Sequence, residues 1–328
     1  MKKNPLYNLL FALLILILAI IAKVDRDGLI KTSFQESIQG TSLSASTKTS
    51  LPTSFDNNYA RDLASIDQML LDADNGKTIP RKKIDVVPPS LKAQAALARD
   101  LESGTELFSL NNLARWPMAS LTKLMTAVID LENVGKEKNI PITEKAWTAE
   151  GIAGNFQIGE IYKANDLVRA MLVVSSNKAA AAISEFYGDS NFMEAMQKKA
   201  IELGMSQTTY SDPTGLSFLN QSTTNDLEKL IRYILTHHPD LLDITSQREA
   251  KILEINSNKQ KTLTNINYFA GRPDFVGGKT GFIDAASGNL ISVFKYNNHQ
   301  ILIIIFGTED KFGQTELLYN WIKESFEF

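Results

Sequence analysis

The chain contains no cysteine among its 328 residues. Disulfides, thiolate zinc sites, a catalytic thiol and a cysteine-linked lipid anchor are therefore excluded. Histidine is scarce as well: His237, His238 and His299 are the three present, and they show no metal-ligand spacing. They are expected at the surface or at helix caps, and neither a metal nor a cofactor is assigned. A basic run suited to nucleic acid is also missing, and the net charge is only −3. What is left is a globular composition, 44% hydrophobic and 22% charged. It suffices for one large or two modest domains with a real core.

The longest apolar run opens the chain. Met1-Lys2-Lys3 is followed by residues 9–22, none of which has a polar side chain. Signal peptides share this basic start and apolar run, but cleavage favours small residues before the cut. Ile20-Ile21-Ala22 offers only the last. A membrane-spanning helix needs about 20 residues, and residues 6–24 nearly supply them. Residues 1–24 are thus expected to remain as a transmembrane anchor, or to yield a secreted protein if cut. Lys2 and Lys3 would hold the N-terminus in the cytoplasm with the remainder outside. Residues 25–82 are rich in serine and threonine up to residue 54 and poor in large apolar side chains. They read as a flexible linker, spanning on the order of 40 Å as a coil.

Residues 83–328 carry the folded pattern. Strands are expected at 92–100 and 106–109, around the turn Glu102-Ser103-Gly104. Helical periodicity then dominates, with helices at 165–174, 178–187, 192–203 and 225–235. Near residue 252 the period shifts towards two, giving strands at 275–280, 289–294 and 300–307. A helix at 315–325 closes the chain. Strands at both ends with helices between them predict an α/β fold, a mainly antiparallel sheet flanked by helices plus a helical lobe. A cleft between sheet and lobe is the expected site.

The chemistry starts at Pro117-Met118-Ala119-Ser120-Leu121-Thr122-Lys123. Leu121, Leu124, Met125, Val128 and Leu131 form one helical face, so Ser120 falls at a helix start with Lys123 one turn on. A hydroxyl beside an amine and free backbone N–H groups suits a serine nucleophile with a lysine base. Ser-x-x-Lys is a common pattern, and Ser175/Lys178 and Ser292/Lys295 match it too. Two further groups single out Ser120. Ser175 and Asn177 give Ser-x-Asn between two expected helices, and Lys279-Thr280-Gly281 lies on an expected strand. The other Ser-x-Asn matches, Ser109/Asn111 and Ser287/Asn289, are out of order. Ser-x-x-Lys, Ser-x-Asn and Lys-Thr-Gly in this order are the motif set of penicillin-interacting serine enzymes.

The stretch around Ser120 resembles the D-alanyl-D-alanine carboxypeptidase family, the low-molecular-mass penicillin-binding proteins of serine peptidase family S11. The likeness runs from about residue 84 to the C-terminus and includes Asp212-Pro213-Thr214-Gly215-Leu216. It implies a β-lactamase/DD-peptidase-like fold and a serine-type D-Ala-D-Ala carboxypeptidase. The implied substrate is the peptidoglycan stem peptide and the implied inhibitors are β-lactams. It also implies Ser120 as the acylated nucleophile, Lys123 as its base and Ser175 as a proton relay. Asn177, Lys279, Thr280, Gly281 and Phe282 would bind substrate, with the Ser120 and Phe282 N–H groups as oxyanion hole. Lysine ordinarily titrates near 10.4, so a base working near neutrality needs a drop of about three units, roughly 4 kcal/mol. Burial and the charge of Lys279 both act that way.

The likeness has departures. Ile283-Asp284 follows Phe282 where a threonine is common. Many members add a β-rich domain and a C-terminal membrane helix, so anchoring here is expected from the N-terminus. Three other activities compete. A serine β-lactamase needs a carboxylate for its deacylating water. The one Glu-x-x-x-Asn match between Asn177 and Lys279 is Glu254/Asn258, in an expected hairpin. An inert wall-peptide binder would be expected to have lost one of the reactive residues. A DD-endopeptidase would cleave cross-links. Crowding by Phe282, Asp284 and Lys311 is expected to favour release of terminal D-Ala instead.

Overall fold

The computed structural model describes residues 78–83 and 86–328, all within the unit Ile66–Phe328. The anchor expected at residues 1–24 and most of the linker lie outside them. Among the described residues no helix is long and apolar enough to cross a membrane. The last linker residues belong to the fold: Arg81–Lys82 pairs antiparallel with Phe326–Glu327.

Five strands build the main sheet: β1 (Ala95–Asp100), β2 (Glu106–Leu110), β3 (Phe275–Ile283), β4 (Ser287–Tyr296) and β5 (His299–Thr308). They are antiparallel throughout, in the order β3-β4-β5-β1-β2. Ile303 lies opposite Ala98, and Lys279 opposite Ile291. The run Ile301-Leu302-Ile303-Ile304-Ile305-Phe306 has no polar alternation because β5 is buried on both faces. Ile301, Ile303 and Ile305 join one apolar cluster with Leu318, Tyr319 and Ile322 of the C-terminal helix. Leu302, Ile304 and Phe306 join the cluster of the helical lobe. Alternate side chains of a strand point to opposite faces, which is why one strand serves two cores.

The longer helices are α1 (Lys123–Ile129), α2 (Ala164–Val173), α3 (Asn177–Tyr187), α4 (Asp189–Glu202), α5 (Thr224–His237), α6 (Asp240–Ser246) and α7 (Lys311–Ser325). Leu227, Leu230, Ile231 and Ile234 bury one stripe of α5, and Thr223 caps its start by accepting from the Asp226 N–H at 3.1 Å. The expected hairpin is present as Glu249–Leu253 and Gln260–Thr264. α6 was not legible in the pattern.

His299 departs from its expected surface position. It is buried, with Nδ1 3.1 Å from Asp100 Oδ2 and Nε2 2.8 Å from Thr78 Oγ1. His237 is exposed and stacks on Tyr233, while the His238 ring meets Glu132 at 2.9 Å.

Candidate active site

Ser120 sits on a 3₁₀ turn, Ala119–Thr122, that runs directly into α1. The turn is fixed from both ends. Trp116–Pro117 pairs with Gln221–Ser222, and the Met118 N–H donates to Asn220 O at 2.8 Å. Ala119 is held at φ +50°, where a side chain costs about 1 kcal/mol or more. Two glycines press against this turn. A Cβ on Gly215, which has φ +82°, would lie 2.0 Å from Ala119 O. A Cβ on Gly281 would lie 2.9 Å from Met118 O and 3.3 Å from Ser120 N. Only residues without a side chain let the Asp212-Pro213-Thr214-Gly215 turn and the β3 backbone come this close.

Lys123 is fully buried. Its Nζ lies 2.8 Å from Ser120 Oγ, 2.7 Å from Asn177 Oδ1 and 2.5 Å from Thr214 O. Burial pulls it from 10.5 down to about 7, opposed by the charge of Asp212. Asn177 opens α3, and its Nδ2 donates to Glu150 O at 2.8 Å. That bond orients the amide so that its oxygen faces Lys123.

Ser175 lies between α2 and α3 with φ +59°. Its neighbour Ser176 caps α3, accepting from the Ala179 N–H at 3.3 Å and donating to Ala153 O at 2.8 Å. Lys279 on β3 is buried and reaches Ser175 Oγ at 2.9 Å and Thr280 O at 2.8 Å. Burial, then the charges of Lys123 and Lys311, hold Lys279 well below its ordinary range. A bound carboxylate would reverse this by favouring the ammonium.

Ser120, Ser175, Thr280, Gly281, Phe282 and Lys311, together with Ile266 and Phe312, line a cavity of about 260 Å³. β3 is an edge strand of the sheet. Such an edge is where an extended peptide can add to a sheet. The structure thus gathers all eight residues named from the sequence into one site: Ser120, Lys123, Ser175, Asn177, Lys279, Thr280, Gly281 and Phe282. The decoy Lys178 is elsewhere, donating to Trp147 O at 2.5 Å. Among the described residues no cluster of histidine, aspartate or glutamate is fit to hold a metal.

In the sequence Asp212-Pro213-Thr214-Gly215 stands out only as part of the family likeness. It borders the site. Asp212 Oδ1 accepts from Thr214 N and Gly215 N at 2.7 Å and from Thr214 Oγ1 at 2.5 Å. Its Oδ2 accepts from Ser217 N at 2.8 Å and Asn220 Nδ2 at 3.2 Å. Asp-Pro-x-Gly is a turn signal, but the carbonyl it aims at Lys123 carries no side-chain signature. Glu254 is occupied: it accepts from Ile161 N at 2.9 Å and from Ser257 N and Oγ at 2.6 Å, bonds that hold its carboxyl down to about 2. It is a hairpin brace and not a base for water.

A buried lysine against a serine at a helix start, facing a Ser-x-Asn turn and an edge strand with Lys-Thr-Gly, defines a serine-type acyl-transfer hydrolase. The family profile described as Peptidase_S11, D-alanyl-D-alanine carboxypeptidase, matches residues 81–310. The chain belongs to that family. It is 29% identical over 249 residues to a D-alanyl-D-alanine endopeptidase of Escherichia coli, covering 72% of this chain and 78% of the relative. It is 30% identical to the D-alanyl-D-alanine carboxypeptidase DacF of Bacillus subtilis over 66% of this chain and 57% of that one. Among solved structures, penicillin-binding protein D2 of Listeria monocytogenes in its ampicillin-bound form aligns with TM-score 0.63 at 28% identity, covering 71% of this chain and 99% of that one. The fold expectation, an antiparallel sheet with helices in the DD-peptidase manner, is met.

Proposed function

We propose that this chain is a membrane-anchored serine D-Ala-D-Ala carboxypeptidase that trims the terminal D-Ala of peptidoglycan stem peptides outside the cytoplasm. The observation that carries this reading is the 2.8 Å approach of a fully buried, readily neutral Lys123 to Ser120 Oγ. Lys123 takes the hydroxyl proton as Ser120 Oγ bonds to the penultimate D-Ala carbonyl carbon. The Ser120 and Phe282 N–H groups receive the developing oxyanion. Ser175 passes a proton to the leaving nitrogen as the C–N bond breaks. Water then cleaves the ester and restores Ser120.

Asn177 and the outer edge of β3 position the peptide, while Lys279 and Thr280 meet its terminal carboxylate with charge-assisted hydrogen bonds. Penicillins would acylate the same hydroxyl. The ampicillin-bound form of the Listeria relative supports that expectation. Residues 1–24 support the anchor through their apolar run and the flanking Lys2 and Lys3.

Mass spectrometry of the penicillin-treated chain tests the reading. A stable adduct on the Ser120 peptide is expected. An adduct on Ser175 or Ser292, or rapid turnover without one, overturns it. Endopeptidase action is the second reading, favoured by a groove that continues from the Ser120 cavity.

A further inference from the structure

We propose that this groove is a leaving-side subsite in which Arg248 and Tyr268 hold the second stem peptide of a cross-linked substrate. The inference rests on the stem-peptide reading above. The groove, about 620 Å³, is lined by Arg248, Tyr268, Phe269, Arg272, Phe312 and Glu316. Phe312 also lines the Ser120 cavity, so the two spaces share a wall.

Position identifies the side. The leaving nitrogen takes its proton from Ser175, so the group attached to it departs past Ser175. The Ile266 N–H donates to Val173 O at 3.1 Å, which lays this segment along the chain entering Ser175. Ile266 lines the cavity, and Tyr268, two residues on, lines the groove. A leaving D-Ala ends inside the cavity. A leaving residue whose side-chain amine formed the cross-link carries a whole peptide with it, and the groove is where that peptide continues.

The lining fits such an occupant. Tyr268 is 75% exposed. Its ring lies 5.8 Å from both Phe269 and Phe312, so a braced aromatic face is presented. Arg272 is committed to Asp274 and Glu316. Arg248 has no carboxylate partner among the described residues, and its stem lies across Gly271, where a Cβ would be 2.3 Å from its Cγ. One uncommitted guanidinium in the same groove as an aromatic wall suits a peptide that bears free carboxylates, as stem peptides do.

The bond changes are those of the carboxypeptidase reaction. The amide between the D-Ala carbonyl and the second stem's side-chain amine breaks, the Ser120 ester forms, and water hydrolyses it. The full chain and its Arg248→Ala, Arg248→Lys and Tyr268→Ala variants should be given a pentapeptide and a cross-linked stem dimer. The dimer-to-pentapeptide ratio of kcat/KM is expected to fall about tenfold in both alanine variants, the size of one lost contact. Arg248→Lys should recover part of it. Unchanged ratios in variants that still form the penicillin adduct overturn the subsite alone. So does a wild-type chain that hydrolyses pentapeptide but leaves the dimer intact. A wild-type chain that forms no penicillin adduct overturns the function reading instead.

Discussion

Acylation of Ser120 should switch on with rising pH along a single limb set by Lys123. Burial lowers this lysine from 10.5 to about 7, a differential cost to its charged form of about 5 kcal/mol. At neutral pH about half of the molecules then carry the free amine. An unshifted lysine would supply it roughly 10³-fold less often. The acylation rate should fall about tenfold per pH unit below about 6 and level off above about 8. Fluorescent penicillin with stopped-flow detection gives the rate directly. Asp212 opposes the shift, so Asp212→Asn should move the limb to lower pH. The asparagine retains one oxygen for the Thr214 and Gly215 bonds, and thermal unfolding measured alongside verifies the fold. A flat profile from about pH 5.5 to 8, or a limb that moves upward in Asp212→Asn, would refute the reasoning.

Three further outcomes are expected. Asp130 is fully buried with neither carboxylate oxygen hydrogen-bonded, and burial raises it from 3.8 to about 7; because its folded value is the higher one, stability present below about pH 4 should decline by up to about 4 kcal/mol as pH rises through 7. Urea unfolding across that range should lose this decline in Asp130→Asn, and an equal slope in both proteins rejects the assignment. Gly215→Ala should lower acylation by 10² or more, because its Cβ would collide with Ala119 O and displace Ser120; near-normal labelling disproves the close packing. Finally, residues 1–24 should stay attached, so N-terminal sequencing of membrane-extracted protein should begin at Met1, and a soluble mature form beginning after Ala22 would contradict this.

The motifs were legible because each is local: a helix start, a turn between helices, a strand. The helical faces were equally legible, since Leu227, Leu230, Ile231 and Ile234 reveal their spacing to any reader of the chain. What escaped depends on distant partners. Ser120 was placed on an α-helix, yet its turn is 3₁₀ and Ala119 is left-handed because Gly215 and Gly281 pack against it. Thr214 contributes a carbonyl, which every residue has. His299 is buried by Asp100 and Thr78, neither near it in sequence. Arg81 and Lys82 look like linker until Phe326–Glu327 supplies a strand for them.

The surroundings of Lys123 show how a site can hold a lysine in place without keeping it charged. An ammonium beside a carboxylate would be stabilised and would lose its basicity. Here the hydrogen-bond partners are three neutral oxygens: Asn177 Oδ1, Thr214 O and Ser120 Oγ. Two of these are carbonyls and can only accept. A neutral amine has two N–H bonds and one lone pair. When both carbonyls take the N–H bonds, the lone pair is left to the Ser120 hydroxyl, which then donates to it. The bond from Asn177 to Glu150 O fixes one carbonyl and the Asp212 turn fixes the other. Desolvation thus lets the amine lose its proton near neutral pH, and the two carbonyls decide where its lone pair points. The same desolvation without partners acts on Asp130, where it only destabilises. The basicity that the proposed mechanism asks of Lys123 would therefore come from pairing burial with acceptors that carry no charge.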